Sequence, residues 1–332
     1  MKTAMIEIKT TTNVYFRNNN FCRFRKKIMY ISSLIYRATY GLLLLVIVCG
    51  CNKDILSNSE DTQAATLERP APVTPPINGV CDYNLDENIL INTGWTKKFE
   101  DNFDTDLSKW NIWNGGAYNN ELQLYKASNL SIASGNLVIS AKKEIATGPT
   151  TPFDATPKSF DYTSGRIESK TNISSSTSSP KVRLIARIKL PAGYGMWPAF
   201  WSYGDPWPTQ GEIDVLEARG QEDFKYQTNY FYGKTVNRNL VRGAEGYITT
   251  NVSLQTCYHV YELIWSQNTL QFYFDGVLAK TNSGSYVNSL FGKTEKVVLN
   301  LAVGGNFFAN FNPSLIQPGT MYVDWIKVFT SN

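Results

Sequence analysis

Three carboxylates, Glu212, Asp214 and Glu217, lie within six consecutive residues of this chain and are interleaved with apolar residues. Negative charges this close together repel each other on a strand and lower the stability of the fold. A purely structural role is therefore hard to defend. Two carboxyl groups about 5 Å apart are what a retaining glycosidase uses, one as nucleophile and the other as acid/base.

The spacing of these carboxylates predicts an irregular strand. Side chains alternate along a strand, so Glu212 and Asp214 share a face while Glu217 would point into the core. Burying an unpaired carboxylate there is prohibitively costly. One extra residue, a β-bulge near Val215 and Leu216, returns Glu217 to the face of the other two. We therefore predict a bulge at this point.

Three acids on one face cannot all ionise freely, because like charges raise at least one pKa. We expect ionised Glu212 to attack the anomeric carbon while protonated Glu217 donates to the glycosidic oxygen. Glu217 then serves as base for the water that hydrolyses the glycosyl-enzyme. Asp214, between them, would hydrogen-bond the nucleophile and adjust both pKa values.

Tryptophans precede the acidic motif. Trp197, Trp201 and Trp207 lie beside Gly and Pro in a loop-rich stretch, where a core position is less natural. Aromatic residues make up 13% of the chain, and most Phe would simply fill a β core. Flat rings also stack on the C–H faces of sugars, so we expect at least one of these tryptophans to contact sugar.

The remaining sequence predicts an all-β scaffold. In residues 182–189, positions 182, 184, 186 and 188 form an apolar face opposite Arg183, Arg187 and Lys189. Residues 270–276 also alternate, residues 226–232 and 322–328 do so less cleanly, and residues 135–141 and 297–303 are also predicted strands. No segment shows a helical stripe over 11 or more residues. Short strands separated by Gly, Asn, Ser and Pro are typical of a β-sandwich, here as one large domain. One sheet of such a sandwich can curve around an open cleft for a sugar chain.

The basic charge of the chain is concentrated at its N-terminus. Residues 1–50 hold eight Lys or Arg and one acid, whereas the rest holds 24 basic and 27 acidic residues. Nucleic acid is therefore a poor candidate for the partner. The apolar run that follows is much shorter than the ~20 residues of a membrane-spanning helix, so residues 1–50 read as a signal peptide, with Met29 as an alternative start.

Small residues before Cys51 resemble a bacterial lipoprotein cleavage box, with Cys51 as the lipidated residue; an ordinary signal peptide is the alternative. Residues 51–90 are polar and then Pro-rich, which predicts a tether ahead of a catalytic domain at 91–332. We expect an exported monomer, lipid-anchored to the outer membrane or cell surface of a bacterium, or otherwise secreted.

Cysteine and histidine usage excludes several chemistries. Only Cys81 and Cys257 follow the signal and Cys51, and export permits either a disulfide between them or two free thiols. His259 is the sole histidine and lies in an apolar alternating stretch, where a structural role is expected. A zinc enzyme or a Ser-His-Asp triad is therefore a poor hypothesis.

With these residues in place, the motif ExDxxE at 212–217 resembles glycoside hydrolase family 16. Further matching segments lie at residues 119–125, 164–167, 193–201, 272–275, 300–306 and 323–328. The resemblance implies a concanavalin A-like β-jelly-roll sandwich with an open cleft on its concave sheet. It also implies a retaining mechanism that uses Glu212, Asp214 and Glu217.

The resemblance also suggests sugar-contacting residues beyond the motif: Trp197, Trp201, Trp207, Arg166, Asn119 and Asn229. The longer motif is most similar to the laminarinase branch, which implies endo-acting hydrolysis of β-1,3-glucan. The segment 226–232 lacks the histidine often found there, so a mixed-linkage glucanase, a galactan hydrolase of agarase or carrageenase type, and a transglycosylase stay open. A non-catalytic glycan-binding lectin is a further alternative. No cofactor is required, although the family resemblance suggests a structural Ca²⁺ at Asp324.

Overall fold

The computed structural model describes residues 75–332, which fold mainly into β-strands. The regular elements of this range, in chain order, are α1 (Glu87–Asn92), β1 (Thr96–Asp101), β2 (Trp110–Ile112), β3 (Gln123–Tyr125), β4 (Leu130–Ala133), β5 (Asn136–Thr151), β6 (Asp154–Ser164), β7 (Arg166–Ile173), β8 (Lys181–Lys189), β9 (Met196–Tyr203), β10 (Glu212–Ala218), β11 (Lys225–Phe231), β12 (Gly246–Thr249), β13 (His259–Ser266), β14 (Thr269–Phe274), β15 (Val277–Ser283), α2 (Ser285–Leu290), β16 (Glu295–Val303) and β17 (Gly319–Ser331). Two short 3₁₀ turns lie at Ala127–Asn129 and Pro313–Leu315.

The strands form two sheets. In the ten-stranded sheet the order is β15-β14-β13-β8-β17-β5-β6-β3, with β1 also paired to β17 and β4 to β5. The seven-stranded sheet has the order β12-β11-β10-β9-β16-β7-β2. Neighbouring strands run antiparallel except for β3 and β6, which are parallel. The predicted all-β architecture is confirmed.

Side-chain alternation determines how the two sheets pack. Leu184, Ala186 and Ile188 of β8 are fully buried, as the alternation of this strand predicts. They belong to the same apolar cluster as Leu299 and Leu301 of β16, which come from the other sheet. Full burial of a leucine or isoleucine side chain stabilises the fold by about 1.5–3 kcal/mol. The main core therefore lies between the sheets and supports the strands β9, β10 and β16 from below.

A second apolar cluster lies on the opposite face of the large sheet. Ile185 of β8 and Phe329 of β17 are fully buried there, together with Leu90 of α1. Tyr83 and Trp95 pack against the same cluster. The segment before β1 therefore covers the outer face of this sheet, which would otherwise expose apolar side chains to water.

Part of the segment assigned to the tether at 51–90 is attached to the sandwich. A disulfide joins Cys81 to Cys257, with Cα atoms 5.2 Å apart. Arg187 of β8 donates a hydrogen bond of 2.8 Å from Nε to the carbonyl of Tyr83. The boundary of the folded domain thus lies before residue 91, because the preceding residues carry apolar side chains that cover the large sheet.

The predicted signal peptide, the alternative start at Met29 and the lipidation site Cys51 lie outside the described residues. Between residues 75 and 332, no helix is long and apolar enough to cross a membrane.

Candidate active site

Strand β10 carries the three carboxylates, and its pairing is interrupted within the motif. Asp214 lies opposite Trp201 of β9, but the next pair along the strand is Leu216 with Phe200. Val215 is therefore the extra residue in this strand. The register with β11 slips at the same point. The predicted bulge near Val215 and Leu216 is confirmed.

The bulge sorts the side chains of β10 between core and surface. Val215 and Leu216 are consecutive, yet both are fully buried in the core between the sheets. Glu212 and Glu217 are half-buried, and Asp214 is 3% exposed. Two neighbouring residues can both face the core only because the alternation breaks between them. Glu217 thereby avoids the apolar interior.

Two tryptophans hold the outer carboxylates of the motif. The indole Nε1 of Trp207 donates a hydrogen bond of 2.7 Å to Oε2 of Glu212. The indole Nε1 of Trp197 donates one of 2.9 Å to Oε1 of Glu217. Gln227, from β11, donates a further bond of 3.2 Å to Oε2 of Glu217. These donors fix the orientation of each carboxylate in the site.

Trp197 and Trp201 lie on strand β9, not in the loop that their Gly- and Pro-rich surroundings suggested. Alternate residues of this strand point to opposite sides, so Met196 and Phe200 fill the core while both tryptophans face the site. The indole of Trp201 donates a hydrogen bond of 2.7 Å to Oδ1 of Asn300. Trp207 lies in the connection between β9 and β10.

Burial is the main cause of the raised pKa values in the motif. It raises the pKa of Glu212 to about 8, and the charge of Glu217 adds to this effect. Burial and the charges of Glu217 and Glu212 raise the pKa of Asp214 well above its ordinary value. Burial also raises the pKa of Glu217, although the hydrogen bonds from Gln227 and Trp197 oppose the rise. Burial and mutual repulsion therefore make each of the three carboxyl groups harder to ionise than an isolated acid.

Asp214 is the best placed of the three to hold a proton. Its Oδ2 is buried and has no hydrogen-bond partner within residues 75–332. A buried, unpartnered oxygen is far less costly on a neutral carboxylic acid than on an ionised one. A neutral Asp214 also adds no negative charge between Glu212 and Glu217, so it does not oppose the ionisation of either.

Arg166 lies beside the site and is almost fully buried. Its Nη2 forms an ion pair of 2.7 Å with Oε1 of Glu168. The guanidinium carbon lies 4.1 Å from the ring centroid of Trp113 and 4.9 Å from that of Trp201. Its charge opposes the rise in the pKa of Glu212. Arg166 therefore acts on the nucleophile candidate Glu212 through its charge and packs against the rings of Trp113 and Trp201.

The other two predicted sugar contacts occupy different positions. Asn229 of β11 lies directly opposite Asp214 in the ladder, on the same face of the sheet. Asn119 is exposed, and its carbonyl accepts a hydrogen bond of 2.8 Å from the amide of Asn306. Within the described range, no hydrogen bond joins the side chain of Asn119 to the three carboxylates. The fold thus brings Asn229, but not Asn119, directly against the motif.

Several site residues were not predicted from the sequence. Tyr125 accepts a hydrogen bond of 3.1 Å from Nδ2 of Asn300 and donates one of 3.2 Å to Oε2 of Glu121. The Phe307 ring stacks on Trp197, with centroids 4.5 Å apart. These residues are distant in sequence from the motif. Glu121, Tyr125 and Asn300 fall within two of the family-like segments, 119–125 and 300–306, whereas Phe307 lies outside both and had no signal in the sequence.

The proposed calcium ligand is already paired with a cation. Oδ2 of Asp324 lies 2.5 Å from Nη1 of Arg187. Among residues 75–332 there is no group of three or more His, Cys, Asp or Glu side chains arranged to hold a metal ion. This arrangement does not fit a calcium site at Asp324, because the guanidinium already neutralises its carboxylate.

Sequence comparison places this site in a known class of enzyme. The model of the glycosyl hydrolases family 16 matches residues 111–327, which include every strand from β3 to β16. The chain belongs to this family. The two sheets therefore form its β-jelly-roll sandwich, as the sequence analysis predicted.

Individual relatives are similar over most of this chain. A glucan endo-1,3-β-glucosidase A1 from Niallia circulans is 30% identical over 82% of this chain, which spans only 40% of that longer protein. A glucan endo-1,3-β-glucosidase from Cryptopygus antarcticus is 31% identical over 72% of this chain and 93% of its own length. The crystal structure of an endo-β-1,3-glucanase from Pyrococcus furiosus superposes with a TM-score of 0.61, at 29% identity, over 72% of this chain and 95% of that one.

Proposed function

We propose that this protein is a retaining endo-β-1,3-glucanase. One observation carries the proposal: the bulge in β10 places Glu212, Asp214 and Glu217 on one face, where Trp207 and Trp197 hold the outer two. Two oriented carboxyl groups, one as nucleophile and one as acid/base, are what double displacement at a glycosidic bond requires. The β-1,3-glucan specificity is supported by the names of the relatives and of the superposed structure.

The reaction then divides between the two outer carboxylates. Glu212 attacks the anomeric carbon, and the bond to the leaving sugar breaks as Glu217 gives its proton to the glycosidic oxygen. Water next enters, Glu217 takes a proton from it, and the resulting hydroxyl displaces Glu212 from the sugar. Asp214 stays protonated between them. Glu217 is also protonated when the reaction starts, so the Glu217 charge that helps to raise the pKa of Glu212 is absent when Glu212 ionises. Each turnover returns all three groups to their starting protonation states.

The first experiment compares product profiles on laminarin, lichenan, agarose and carrageenan. We expect oligosaccharides of several lengths from laminarin, and an early product whose anomeric configuration by NMR matches that of the substrate. Glu212→Gln should lower the rate more than about a thousandfold without changing the melting temperature. Cleavage of agarose alone would overturn the substrate, binding without cleavage would indicate a lectin, and products longer than the substrate would indicate a transglycosylase.

A second experiment tests the assignment of roles. It uses a glucoside with an aryl leaving group, azide, and the variants Glu212→Ala and Glu217→Ala. Azide should take the place of the missing nucleophile in Glu212→Ala and form an α-glycosyl azide. In Glu217→Ala it should attack the covalent intermediate from the other face and form a β-glycosyl azide. The reverse pattern would exchange the two roles.

We also propose that the protein works outside the cytoplasm, anchored by lipid at Cys51. The disulfide between Cys81 and Cys257 supports export, because such bonds persist in oxidising compartments. Metabolic labelling with a fatty acid should mark the wild type but not Cys51→Ala. Equal labelling of both would remove the anchor from the proposal, and a soluble, unlabelled wild type would leave a secreted enzyme.

A further inference from the structure

The hairpin formed by β5 and β6 carries an unusual aromatic residue at its tip. The side chain of Phe153 is 82% exposed. A single exposed apolar residue needs no explanation by itself. Phe153, however, contacts Trp113 edge to face, with ring centroids 6.0 Å apart and planes at 85°. It therefore extends an aromatic surface that begins inside the candidate active site.

That surface can be followed residue by residue. Trp113 faces the guanidinium of Arg166 at 4.1 Å, and Arg166 in turn lies 4.9 Å from the ring of Trp201. Trp201 is the direct ladder partner of Asp214. The row from Asp214 through Trp201, Arg166 and Trp113 to Phe153 thus runs from the catalytic strand to the hairpin tip without interruption.

Close backbone packing holds the hairpin tip in place. The amide of Gly116 donates a hydrogen bond of 2.9 Å to the carbonyl of Pro149. A Cβ on Gly116 would overlap the carbonyl oxygen of Thr150, and one on Gly115 would lie 3.0 Å from the amide nitrogen of Pro152. Glycine at both positions lets the loop after Trp113 approach the hairpin backbone directly. The position of Phe153 relative to Trp113 is therefore set by the fold.

We propose that Phe153, backed by Trp113, forms a distal binding subsite for the polysaccharide chain. The inference rests on the proposed function, which supplies a substrate long enough to reach it. Trp113 is almost fully buried, so Phe153 is the ring that offers its face. The apolar C–H face of a pyranose stacks on such a ring and removes it from water. Three side chains separate Phe153 from Asp214 along this row, so we expect only a long substrate to reach the ring.

The experiment compares kcat/KM on the polysaccharide with kcat/KM on the shortest oligosaccharide that is cleaved. Phe153→Ala should lower the polysaccharide value about three- to tenfold, through KM, and leave the oligosaccharide value unchanged. Phe153→Trp should restore it. Ile145→Ala is the matched control, because Ile145 lies on the same hairpin and is also 82% exposed. It should leave both values unchanged.

Several outcomes would overturn the subsite. An equal loss on long and short substrates would indicate a general effect on the fold, and no loss on either would show that the ring contacts no sugar. If wild type cleaves lichenan, agarose or carrageenan instead of laminarin, the proposal of a β-1,3-glucanase fails. The values of kcat/KM are then compared between the cleaved polymer and its shortest cleaved oligosaccharide. If it cleaves none, retardation in gels containing each polymer is compared for the three variants, and the subsite falls if Phe153→Ala migrates like wild type.

Discussion

Trp197 and Glu217 are joined by a hydrogen bond of 2.9 Å from the indole Nε1 to a carboxylate oxygen. The indole is itself held by Phe307, whose ring lies nearly parallel to it at 10°. The guanidinium of Arg219 lies 4.0 Å from the centroid of that same phenylalanine ring. The proton donor proposed for the reaction is thus oriented by a stack that begins outside the motif.

Replacing Trp197 with phenylalanine should shift the pH dependence of the reaction. The hydrogen bond from Trp197 favours the ionised form of Glu217, so its loss raises the pKa of Glu217 further. The acid then stays protonated to higher pH, and the basic limb of kcat should move up by about half to one pH unit. Steady-state rates across pH check this.

Trp95→Phe, in the cluster on the outer face of the large sheet, is the control and should leave the profile in place. A basic limb that moves to lower pH in Trp197→Phe would contradict the assignment of Glu217 as the acid.

Deleting Val215 should abolish activity, because the deletion removes the bulge and turns Glu217 toward the core. Val215→Ala keeps the extra residue and only creates a small cavity. It should cost about 2 kcal/mol of stability and keep activity within a few-fold of wild type. Rates and thermal unfolding of both variants make the comparison. A deletion variant that still hydrolyses the substrate would show that the side-chain alternation of β10 does not determine where Glu217 lies.

Glu295 lies in the core below the site, where Ser202 Oγ donates to its Oε2 at 2.5 Å. Burial raises its pKa to about 8 from the ordinary 4.5. Between these values the folded protein carries a proton that the unfolded chain has lost, so stability falls as pH rises, by up to roughly 5 kcal/mol. Glu295→Gln removes this dependence.

The melting temperature of Glu295→Gln should therefore match wild type near pH 4.5 and exceed it increasingly toward pH 8. Glu245→Gln, at an exposed glutamate, is the control and should follow wild type throughout. If the curves of Glu295→Gln and wild type stay parallel, Glu295 does not take up a proton on folding.

Removing the disulfide should destabilise the domain without impairing catalysis. Cys81 and Cys257 are 176 residues apart in sequence, and a cross-link that closes so long a loop contributes about 3–5 kcal/mol. Cys81→Ser/Cys257→Ser should unfold at correspondingly lower denaturant concentration. Its kcat at 25 °C should equal that of wild type. The carboxylates lie on β10 of the seven-stranded sheet, whereas Cys257 lies just before β13 of the ten-stranded sheet. A large loss of kcat in the folded variant would contradict this separation.

Chelation should leave thermal stability unchanged. The carboxylate of Asp324 is already paired with Arg187, so we expect no bound cation there for EDTA to remove. Thermal unfolding with EDTA and with added Ca²⁺ provides the measurement. A melting temperature that rises by several degrees with Ca²⁺ would show that the ion displaces Arg187, and Asp324→Asn should then abolish the rise.

The pattern along single strands was sufficient to predict the all-β scaffold and the face that carries the three carboxylates. Alternation in β8 assigned Leu184 and Ala186 to the core, and the cost of burying Glu217 predicted the bulge. Both predictions depend only on residues close together in sequence, within a single strand. The positions of Trp197 and Trp201 were misassigned because Gly and Pro nearby suggested a loop, whereas the strand begins directly after Gly195.

The rest depended on contacts between distant parts of the chain. Nothing near Ile185 in sequence indicates that α1 covers it, so its face of β8 was expected to be polar. The outer half of the long hairpin of β5 and β6 is mostly exposed on both faces. Its side chains therefore show no alternation between apolar and polar residues from which the strands could be predicted. Phe307 supports Trp197 from a loop over 100 residues away, and no pattern in one sequence encodes such a pair.

The link between Cys81 and Cys257 also limits how far mechanical force can peel the N-terminal segment from the domain. Tension transmitted along the chain from residues before 75 would first load the backbone hydrogen bonds of Ile77 with Thr249 and Asn251, and would reach the disulfide once these break. Strand β10 is separated from β12 by β11, and no hydrogen bond among residues 75–332 joins it to the segment 75–81. The three carboxylates would keep their geometry while the domain is pulled from its N-terminal side, which is the load that the proposed anchor at Cys51 would transmit when the protein holds a polymer moving with the surrounding fluid.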